Sequence, residues 1–320
     1  MLVALASGAL PLKIGSIAPL GSPWDQALKT IGAEWSRISA GEVSLKVYGG
    51  SVAGGEADIL RKIRIGQLQA GLLTATGLQM IWNGLKAVSF PLFIRDDNEF
   101  GKVLGALAPT FERELAARGF DVVFWTPGGW VYFFTRAPVV TPDDLRRQKI
   151  WVTGDPDEVQ AWRTLGFQVV PMAATEVTTG LQSGMIDATI TSPLVAASSQ
   201  WFAVAANMCS LRLSPLYGAM VVSTKAWASL APGLRQRLLE AARSEAVRLA
   251  ATVRGSDGEA VAVMRRYGLR IIDVPDPVRA DWEAVVARGF GMLVGTAYDA
   301  GAYEVMQRVL ADSRSGRSTP

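Results

Sequence analysis

The chain has 320 residues, of which 49% are hydrophobic and 19% are charged, and its formal net charge is +3. This length and composition predict a large folded domain or two smaller ones with a substantial core, and they exclude a mainly disordered chain. The basic residues are scattered along the sequence, which disfavours nucleic acid as a partner. No apolar run reaches the about 20 residues that a membrane-spanning helix needs.

Residue types exclude several kinds of chemistry. The chain has no histidine, so Ser-His-Asp and Cys-His catalysis and the His-based zinc motifs are ruled out. Its single cysteine, Cys209, cannot form an internal disulfide, and its apolar neighbours predict a buried, unreactive thiol. The glycine motifs of serine hydrolases and of P-loop nucleotide sites are missing. We therefore expect no enzyme, no catalytic residue, no metal and no cofactor.

The two ends of the chain are expected to lie outside the fold. The apolar stretch 1–11 resembles the end of a secretory signal, although it lacks a basic start and is too short. We interpret it as a signal remnant, with a disordered extension as the alternative. The stretch 311–320 is poor in apolar residues and is predicted to be a disordered tail.

Strands and helices alternate in the first part of the chain. Ser22 and Pro23 have the residue types of an N-cap and a first helical position. Alternation and helical spacing predict strands at 12–16, 43–48, 70–74 and 121–125 and helices at 25–39, 56–65 and 98–118. This order implies parallel pairing of the first strands. A further strand is expected to begin near Gly128.

The later part of the chain repeats this alternation. Residues 144–193 read as strand, helix, strand, short helix and strand. Further on, helices are predicted at 232–254 and 258–267, separated by the Gly255–Gly258 break, followed by a strand at 269–274 and helices from 281 to about 308. The fold class is therefore α/β.

We predict two lobes. Lobe I comprises 12–125 with about 214–255, and lobe II comprises 126–213 with about 256–310. A ligand is expected in the crevice at the carboxyl ends of the strands.

Four segments, in this order, resemble one known family. They are SVAGGEADILRKIRIGQLQAG, VSFPLFIRDDNEF, FTRAPVVTPDDLRRQKIWV and TTGLQSGMIDATITSP. Together they resemble the solute receptors of tripartite ATP-independent periplasmic (TRAP) transporters, of the dicarboxylate-receptor (DctP-like) type. The resemblance implies a two-lobed periplasmic-binding-protein fold with a hinge and a long kinked helix spanning both lobes. It also implies a periplasmic location, a small-molecule ligand and delivery of that ligand to TRAP membrane subunits.

One position departs from the family. Members that bind carboxylates have the sequence Lys-Ile-Arg-Val at this point of the chain. Residues 149–152 of this chain read Lys-Ile-Trp-Val, so Trp151 stands in the place of the arginine. Arginine matches a carboxylate with a fork of donors, whereas tryptophan offers one N–H and a flat apolar face. We therefore predict an apolar or aromatic-faced ligand. The exchange is similar to a branch of the family that works with a periplasmic TPR protein, which implies such a partner here.

Ten residues are candidates for ligand contact, most of them at strand ends or beside glycines. They are Trp24, Thr74, Ala75, Gly129, Trp130, Trp151, Glu176, Thr191, Ser192 and Arg212. Each has a structural alternative: the tryptophans can be core residues or a helix staple, and Glu176 can cap a helix. Arg212 can be a surface charge, or it can anchor a conventional carboxylate in place of the lost arginine, which makes an organic acid the alternative ligand.

Overall fold

The computed structural model describes residues 10–153 and 155–315. The predicted signal remnant therefore lies outside the described residues up to residue 9, as do the last five residues of the predicted tail. The described chain divides into two compact units. Unit 1 contains 10–82, 109–128 and 217–253, and unit 2 contains 83–108, 129–216 and 254–315.

Helices and strands alternate along much of the described chain, and the α/β fold class is confirmed. The strands are β1 (Leu10–Ser16), β2 (Val43–Tyr48), β3 (Ala70–Thr74), β4 (Phe120–Thr135), β5 (Lys149–Val152), β6 (Gln168–Pro171), β7 (Ala188–Thr191), β8 (Asn207–Cys209), β9 (Ser214–Ser223) and β10 (Arg270–Ile272). The α-helices are α1 (Pro23–Ile38), α2 (Glu56–Arg64), α3 (Ala75–Gln79), α4 (Asp97–Ala116), α5 (Pro142–Arg146), α6 (Pro156–Thr164), α7 (Val177–Ser183), α8 (Pro193–Ser198), α9 (Thr224–Ala228), α10 (Pro232–Arg266), α11 (Asp276–Gly291) and α12 (Ala300–Arg314). Short 3-10 helices occupy Asn83–Ser89, Ala174–Glu176 and Trp201–Ala203.

Unit 1 is built on a sheet with the strand order β2-β1-β3-β9-β4. The predicted parallel pairing of β1 with β2 and β3 is confirmed, and β9 joins β3 in antiparallel orientation. Ser22 caps α1 by accepting the backbone N–H of Asp25, as its residue type predicted. Behind the sheet, the buried Trp35 donates its Nε1–H to the carbonyl oxygen of Leu238 over 2.9 Å. This hydrogen bond ties α1 to α10.

Unit 2 is built on the strand order β4-β7-β5-β6, with β8 paired to β4 and β10 paired to β8. The predicted sequence of strand, helix, strand, short helix and strand is confirmed as β5, α6, β6, α7 and β7. Aromatic rings pack against one another in the core of this unit. Phe133 stacks on Trp282 with 5.7 Å between ring centroids, and Trp162 meets Phe290 edge to face at 5.1 Å. Such aromatic pairs stabilise a core beyond the area that they bury.

Two predicted interruptions are wrong. The strand that starts at Phe120 continues to Thr135 as β4, and Gly129 adopts a φ of +87° within it. The predicted break at Gly255–Gly258 is helical, because α10 runs unbroken for 35 residues. A glycine in a helix costs only about 1 kcal/mol, and the buried side chains of Val253 and Met264 on either side of the break offset that cost.

The segment 83–108 belongs to unit 2, whereas the sequence placed it in lobe I. Its aromatic residues explain the difference, because Phe90 packs against Phe290 and Tyr298, at 5.9 and 5.1 Å between ring centroids. The other boundaries between the units lie after residues 128, 216 and 253.

Part of the predicted tail is helical, because 311–314 belong to α12. Arg314 bonds Glu99 through its Nε, with a distance of 2.8 Å to Oε1, and this ion pair holds the end of the helix.

Candidate ligand-binding site

The site with the clearest ligand-binding chemistry lies in unit 2, around Arg212. The guanidinium carbon of Arg212 lies 5.1 Å from the ring centroid of Trp130, in the geometry of a cation–π contact. Trp130 is buried and donates its Nε1–H to Oδ1 of Asp97 over 2.8 Å. Arg212 also hydrogen-bonds Tyr132. We call the group formed by Asp97, Gly129, Trp130, Tyr132, Arg212 and Asp257 the Arg212 cluster.

The backbone around Arg212 is fixed by its neighbours. Leu211 and Leu213 are buried on either side of it, while Arg212 itself is half-buried. The N–H of Leu213 donates to the carbonyl oxygen of Val131 over 2.9 Å, and the N–H of Leu92 donates to the carbonyl oxygen of Leu213 over 2.6 Å. The half-buried Arg212 is therefore carried on a segment with a fixed backbone.

Arg212 is the one basic residue of the cluster, beside two acidic ones, Asp97 and Asp257. Within the described residues the guanidinium of Arg212 forms no ion pair, and its contacts are the Tyr132 hydroxyl and the Trp130 ring. Burial raises the pKa of Tyr132, and the positive charge of Arg212 opposes that increase. A half-buried guanidinium without a carboxylate partner presents a fork of donors that matches a ligand carboxylate or phosphate.

Asp257 is the member of the cluster that α10 contributes. The backbone N–H groups of Leu194 and Trp130 hydrogen-bond its carboxylate. A Cβ added at Gly129 would collide with Oδ2 of Asp257, and the left-handed φ of Gly129 also favours glycine. Burial raises the pKa of the Asp257 carboxyl to about 6, although the two N–H groups act in the opposite direction.

Five of the predicted ligand residues lie in or next to this cluster. Gly129, Trp130 and Arg212 are members of it. Thr191 is the register partner of Tyr132 in the antiparallel pair of β4 and β7. Ser192 caps α8, because its Oγ accepts the backbone N–H of Val195 over 3.3 Å. Thr191 and Ser192 are both buried.

Trp151 lies in the core of unit 2. Its side chain is 7% exposed and meets Trp201 edge to face, with 5.7 Å between ring centroids. Its Nε1–H donates to the carbonyl oxygen of Met172 over 3.1 Å. This placement favours the core alternative that the sequence left open, because both the face and the polar group of the indole have protein partners. The role of Trp151 in ligand contact stays a prediction.

Glu176 has a local structural function, as its alternative interpretation proposed. Its Oε2 accepts the backbone N–H of Ala173 over 3.1 Å at the start of the 3-10 helix. The side chain is exposed and makes the capping contact that an acidic residue offers to the first turn of a helix.

The other three predicted residues belong to unit 1. Trp24 is half-buried and packs against the core of that unit. Thr74, the last residue of β3, is bound by the Glu56 carboxylate. Its N–H donates to Oε1 over 2.6 Å and its Oγ1–H donates to Oε2 over 2.9 Å. Ala75 begins α3 directly after it. Trp24 therefore lies in a different unit from Trp130 and Trp151, and the predicted group of three indoles is not assembled within one unit.

Sequence reasoning missed Asp97, Tyr132 and Asp257. Asp257 carried a signal, because it is an acidic residue between two glycines inside an otherwise helical pattern. Tyr132 and Asp97 carried none, since their roles depend on contacts with residues distant in the chain. The predicted burial of Cys209 is confirmed, and that burial raises the pKa of the thiol to about 11.

Comparison with known sequences identifies the family. The profile of the bacterial extracellular solute-binding proteins of family 7, called DctP, matches residues 14–289. The chain belongs to the DctP family. The predicted resemblance to TRAP solute receptors is therefore confirmed. DctP proteins are solute-binding components of transporters and not enzymes, and they act in the periplasm, as the sequence predicted.

Individual relatives of this DctP protein are more distant. The 2,3-diketo-L-gulonate-binding periplasmic protein YiaO of Escherichia coli is 29% identical over 63% of this chain and 62% of that protein. A TRAP periplasmic solute-binding protein from Chromohalobacter salexigens, solved with bound d-glucuronate, is 23% identical with a TM-score of 0.83 over 94% of this chain and 99% of that one. Another, from Ochrobactrum anthropi, is 18% identical with a TM-score of 0.90 over 97% and 98% of the two chains, and it was solved with a C-terminus bound in the ligand-binding pocket. These structures confirm the fold of the DctP chain.

The described residues of this DctP protein contain no candidate membrane-spanning helix, since each helix is either too short or too polar. Solute receptors of this family bind small ligands and pass them to the membrane subunits of a TRAP transporter. The TPR protein inferred from Trp151 stays a prediction.

Proposed function

We propose that this DctP-family protein is the TRAP receptor for a small organic acid, and that the ligand carboxylate binds the guanidinium of Arg212. The observation that supports the proposal is that Arg212 lacks a carboxylate partner. It is half-buried on an ordered segment, lies against the Trp130 ring and forms no ion pair within the described residues. A conventional carboxylate, the alternative ligand that the sequence allowed, therefore replaces the apolar ligand as the leading hypothesis.

The contact with Trp130 supports Arg212 as an anion receptor. The guanidinium carbon lies 5.1 Å from the centroid of the indole ring, and this cation–π contact holds the side chain in place while a planar guanidinium offers several N–H donors. A carboxylate can then form two parallel charge-assisted hydrogen bonds with little further loss of conformational entropy. Loss of one such buried charged partner typically costs about 2–5 kcal/mol of binding free energy.

Relatives support an acidic ligand. YiaO is named for binding 2,3-diketo-L-gulonate, and TRAP solute-binding proteins from Chromohalobacter salexigens and Xanthobacter autotrophicus were solved with d-glucuronate and beta-D-galacturonate. All three ligands are small polyhydroxylated carboxylates. The apolar ligand, by contrast, depended on an accessible Trp151, whose ring packs in the core of unit 2.

The test compares acids with neutral analogues of the same shape. The protein is purified, unfolded and refolded to remove any bound molecule, and then titrated calorimetrically with d-glucuronate, d-galacturonate and an aldonate. The matched controls are d-glucuronamide and the methyl ester of d-glucuronate. We expect at least one acid to bind, and its amide to bind about a hundredfold more weakly, because the amide lacks the charge that the guanidinium recognises.

Two results would contradict the proposal. Equal affinities for the acid and its amide would show that charge is not recognised. Saturable binding of apolar or aromatic compounds, together with no response to any acid, would return the ligand to the class that Trp151 suggested.

The partners follow from the same assignment. A receptor of this family delivers its ligand to the two membrane subunits of a TRAP transporter, and we propose the same delivery here. A TPR protein as a third partner has weaker support, because it was inferred from the exchange at Trp151 alone. Co-purification from the native periplasm with a tagged copy of this chain tests it.

A further inference from the structure

We infer that Asp97 is a positioning residue of the anion site: its carboxylate holds the indole of Trp130 in contact with the guanidinium of Arg212, and this support strengthens binding of the ligand carboxylate. The inference rests on the proposed function, since it needs an anion at Arg212. Asp97 is the first residue of α4, and nothing in the sequence indicated such a role for it.

A continuous line of contacts connects Asp97 with Arg212. The Nε1–H of Trp130 donates to Oδ1 of Asp97 over 2.8 Å, and the guanidinium carbon of Arg212 lies 5.1 Å from the centroid of the same indole. An indole has a single N–H donor, so Asp97 occupies its only polar group and leaves the ring face to the guanidinium. The three residues come from α4, β4 and the segment before β9, and all of them belong to unit 2.

The charged residues next to Asp97 in the sequence have other partners. Arg95 pairs with Glu283 over 2.6 Å, and Glu99 pairs with Arg314 over 2.8 Å. An acidic residue in the first turn of a helix also interacts favourably with the helix dipole. That interaction does not require the hydrogen bond that Asp97 accepts from a tryptophan 33 residues away. The contact with the indole is therefore a feature beyond the ordinary role of an acid at the start of a helix.

The hydrogen bond acts on the cation–π contact in two ways. A bond from an N–H to an ionised carboxylate is charge-assisted, so it fixes the plane of the ring more firmly than a neutral acceptor would. It also raises the electron density of the ring, because hydrogen-bonded groups polarise one another. The negative face of the ring attracts the guanidinium, so both effects hold Arg212 in the position in which it meets the ligand.

The charge of Asp97 also acts directly on the ligand, with the opposite sign. A carboxylate near an anion site repels an anionic ligand, so removal of the charge would strengthen binding if this direct effect were the larger one. Asp97 is exposed, however, and water screens an exposed charge, whereas Trp130 is only 5% exposed and its contacts are screened much less. The support of the indole should outweigh the repulsion, and loss of Asp97 should weaken binding.

The experiment compares two substitutions of Asp97. The wild-type protein, Asp97→Ala and Asp97→Asn are titrated calorimetrically with d-glucuronate, d-galacturonate and d-glucuronamide, each up to 50 mM. We expect the affinity for the better-binding acid to fall about five- to tenfold in Asp97→Ala, because the indole loses its charged partner. Asp97→Asn should lose less, since its amide oxygen still accepts the indole N–H. The affinity for the neutral d-glucuronamide should change by less than about twofold, because it depends little on the guanidinium.

Two further variants complete the comparison. Asp276→Ala is the matched control, since Asp276 is also an acid in the first turn of a helix of unit 2 and its side chain is 99% exposed. It should bind like the wild type. Trp130→Phe keeps an aromatic ring but has no N–H. In the Trp130→Phe background, Asp97→Ala should cost less than about twofold in acid affinity, because there is no indole N–H left to hold.

The results separate the inference from the proposed function. Acid affinity that is unchanged or higher in Asp97→Ala overturns the inference and leaves the proposed function intact. An equal loss for acid and amide, or a loss that persists undiminished in the Trp130→Phe background, also overturns it, because either would show a general structural role. Absence of binding of both acids to the wild-type protein counts against the inference and the proposed function together. The variants of the exposed Asp97 decide the question by themselves, so a fold defect in Trp130→Phe cannot hide the result.

Discussion

Arg212 and Trp130 form a cation–π pair in unit 2, with 5.1 Å between the guanidinium carbon and the centroid of the indole ring. The pair explains how an arginine can be half-buried without a carboxylate partner. The aromatic face partly compensates the charge, and the remaining donors stay available. The family resemblance implied a carboxylate-binding arginine at the position of Trp151, and the structure offers a different arginine, Arg212, in contact with a different tryptophan, Trp130.

Arg212→Met should abolish recognition of acids. Methionine keeps much of the aliphatic stem and its packing on Trp130 but removes every donor and the charge. We expect the affinity for the best-binding acid to fall about a hundredfold or more by calorimetry, because the ligand carboxylate loses its counter-ion. Arg248→Met is the matched control, since the side chain of Arg248 is 64% exposed on α10, and it should bind like the wild type. Unchanged affinity in Arg212→Met would remove Arg212 from the site.

Trp151→Phe separates the two interpretations of this residue. The variant keeps an aromatic ring but loses the hydrogen bond from Nε1 to the Met172 carbonyl oxygen and part of the contact with Trp201. We expect the free energy of unfolding in urea to fall by about 1–3 kcal/mol, with ligand affinity within a factor of two of the wild type. A tenfold loss of affinity at unchanged stability would instead support the ligand contact predicted from the sequence.

Gly129→Ala should destabilise unit 2. The backbone of Gly129 has a φ of +87°, and a new Cβ would collide with Oδ2 of Asp257. We expect a loss of about 2 kcal/mol or more of unfolding free energy from the backbone conformation and the displaced carboxylate. Gly105→Ala is a control with the opposite sign, because Gly105 is an exposed glycine within α4 with open space around its Cβ position, and alanine there should add up to about 1 kcal/mol. Equal effects of the two variants would contradict the geometry at Gly129.

The stability of the protein without ligand should depend on pH through Asp257. The folded-state pKa is raised to about 6 from 3.8, so between these values the folded protein holds a proton that the unfolded chain has lost. This contribution to stability is complete below pH 3.8 and is lost as the pH rises through 6. Asp257→Asn should therefore match the wild type near pH 4 and exceed it at pH 7.5, by about 1–2 kcal/mol after allowance for partial solvent exposure. Urea unfolding at the two pH values measures the difference, and an Asn variant that is less stable at pH 7.5 would refute it.

Local signals predicted local structure well. The Ser22-Pro23 start of α1, the strand at Val43–Tyr48 and the alternation from β5 to β7 all follow from residue types and spacing within a few positions. Each of these features is decided by interactions between neighbouring residues, such as a cap or an alternating buried face.

Features that depend on distant contacts were not predictable in the same way. The Gly255–Gly258 segment has the composition of a break, yet packing of the residues around it keeps α10 continuous. The direction of the Trp151 side chain depends on Trp201 and Met172, and the role of Asp257 depends on Gly129, which lies more than a hundred residues earlier. Sequence alone can place a residue on a strand or helix, but the other elements decide which side chains meet.

The division of the chain between the two units has a consequence for biosynthesis. Unit 1 consists of three separate stretches, and β9, which lies between β3 and β4 in its sheet, comes from the last of them. The first strands are therefore translated well before the strand that completes their sheet, and the edge of β3 stays unpaired until residues 217–223 emerge. No contiguous fragment of the gene encodes either unit, so chimaeras between relatives would have to exchange three segments at once.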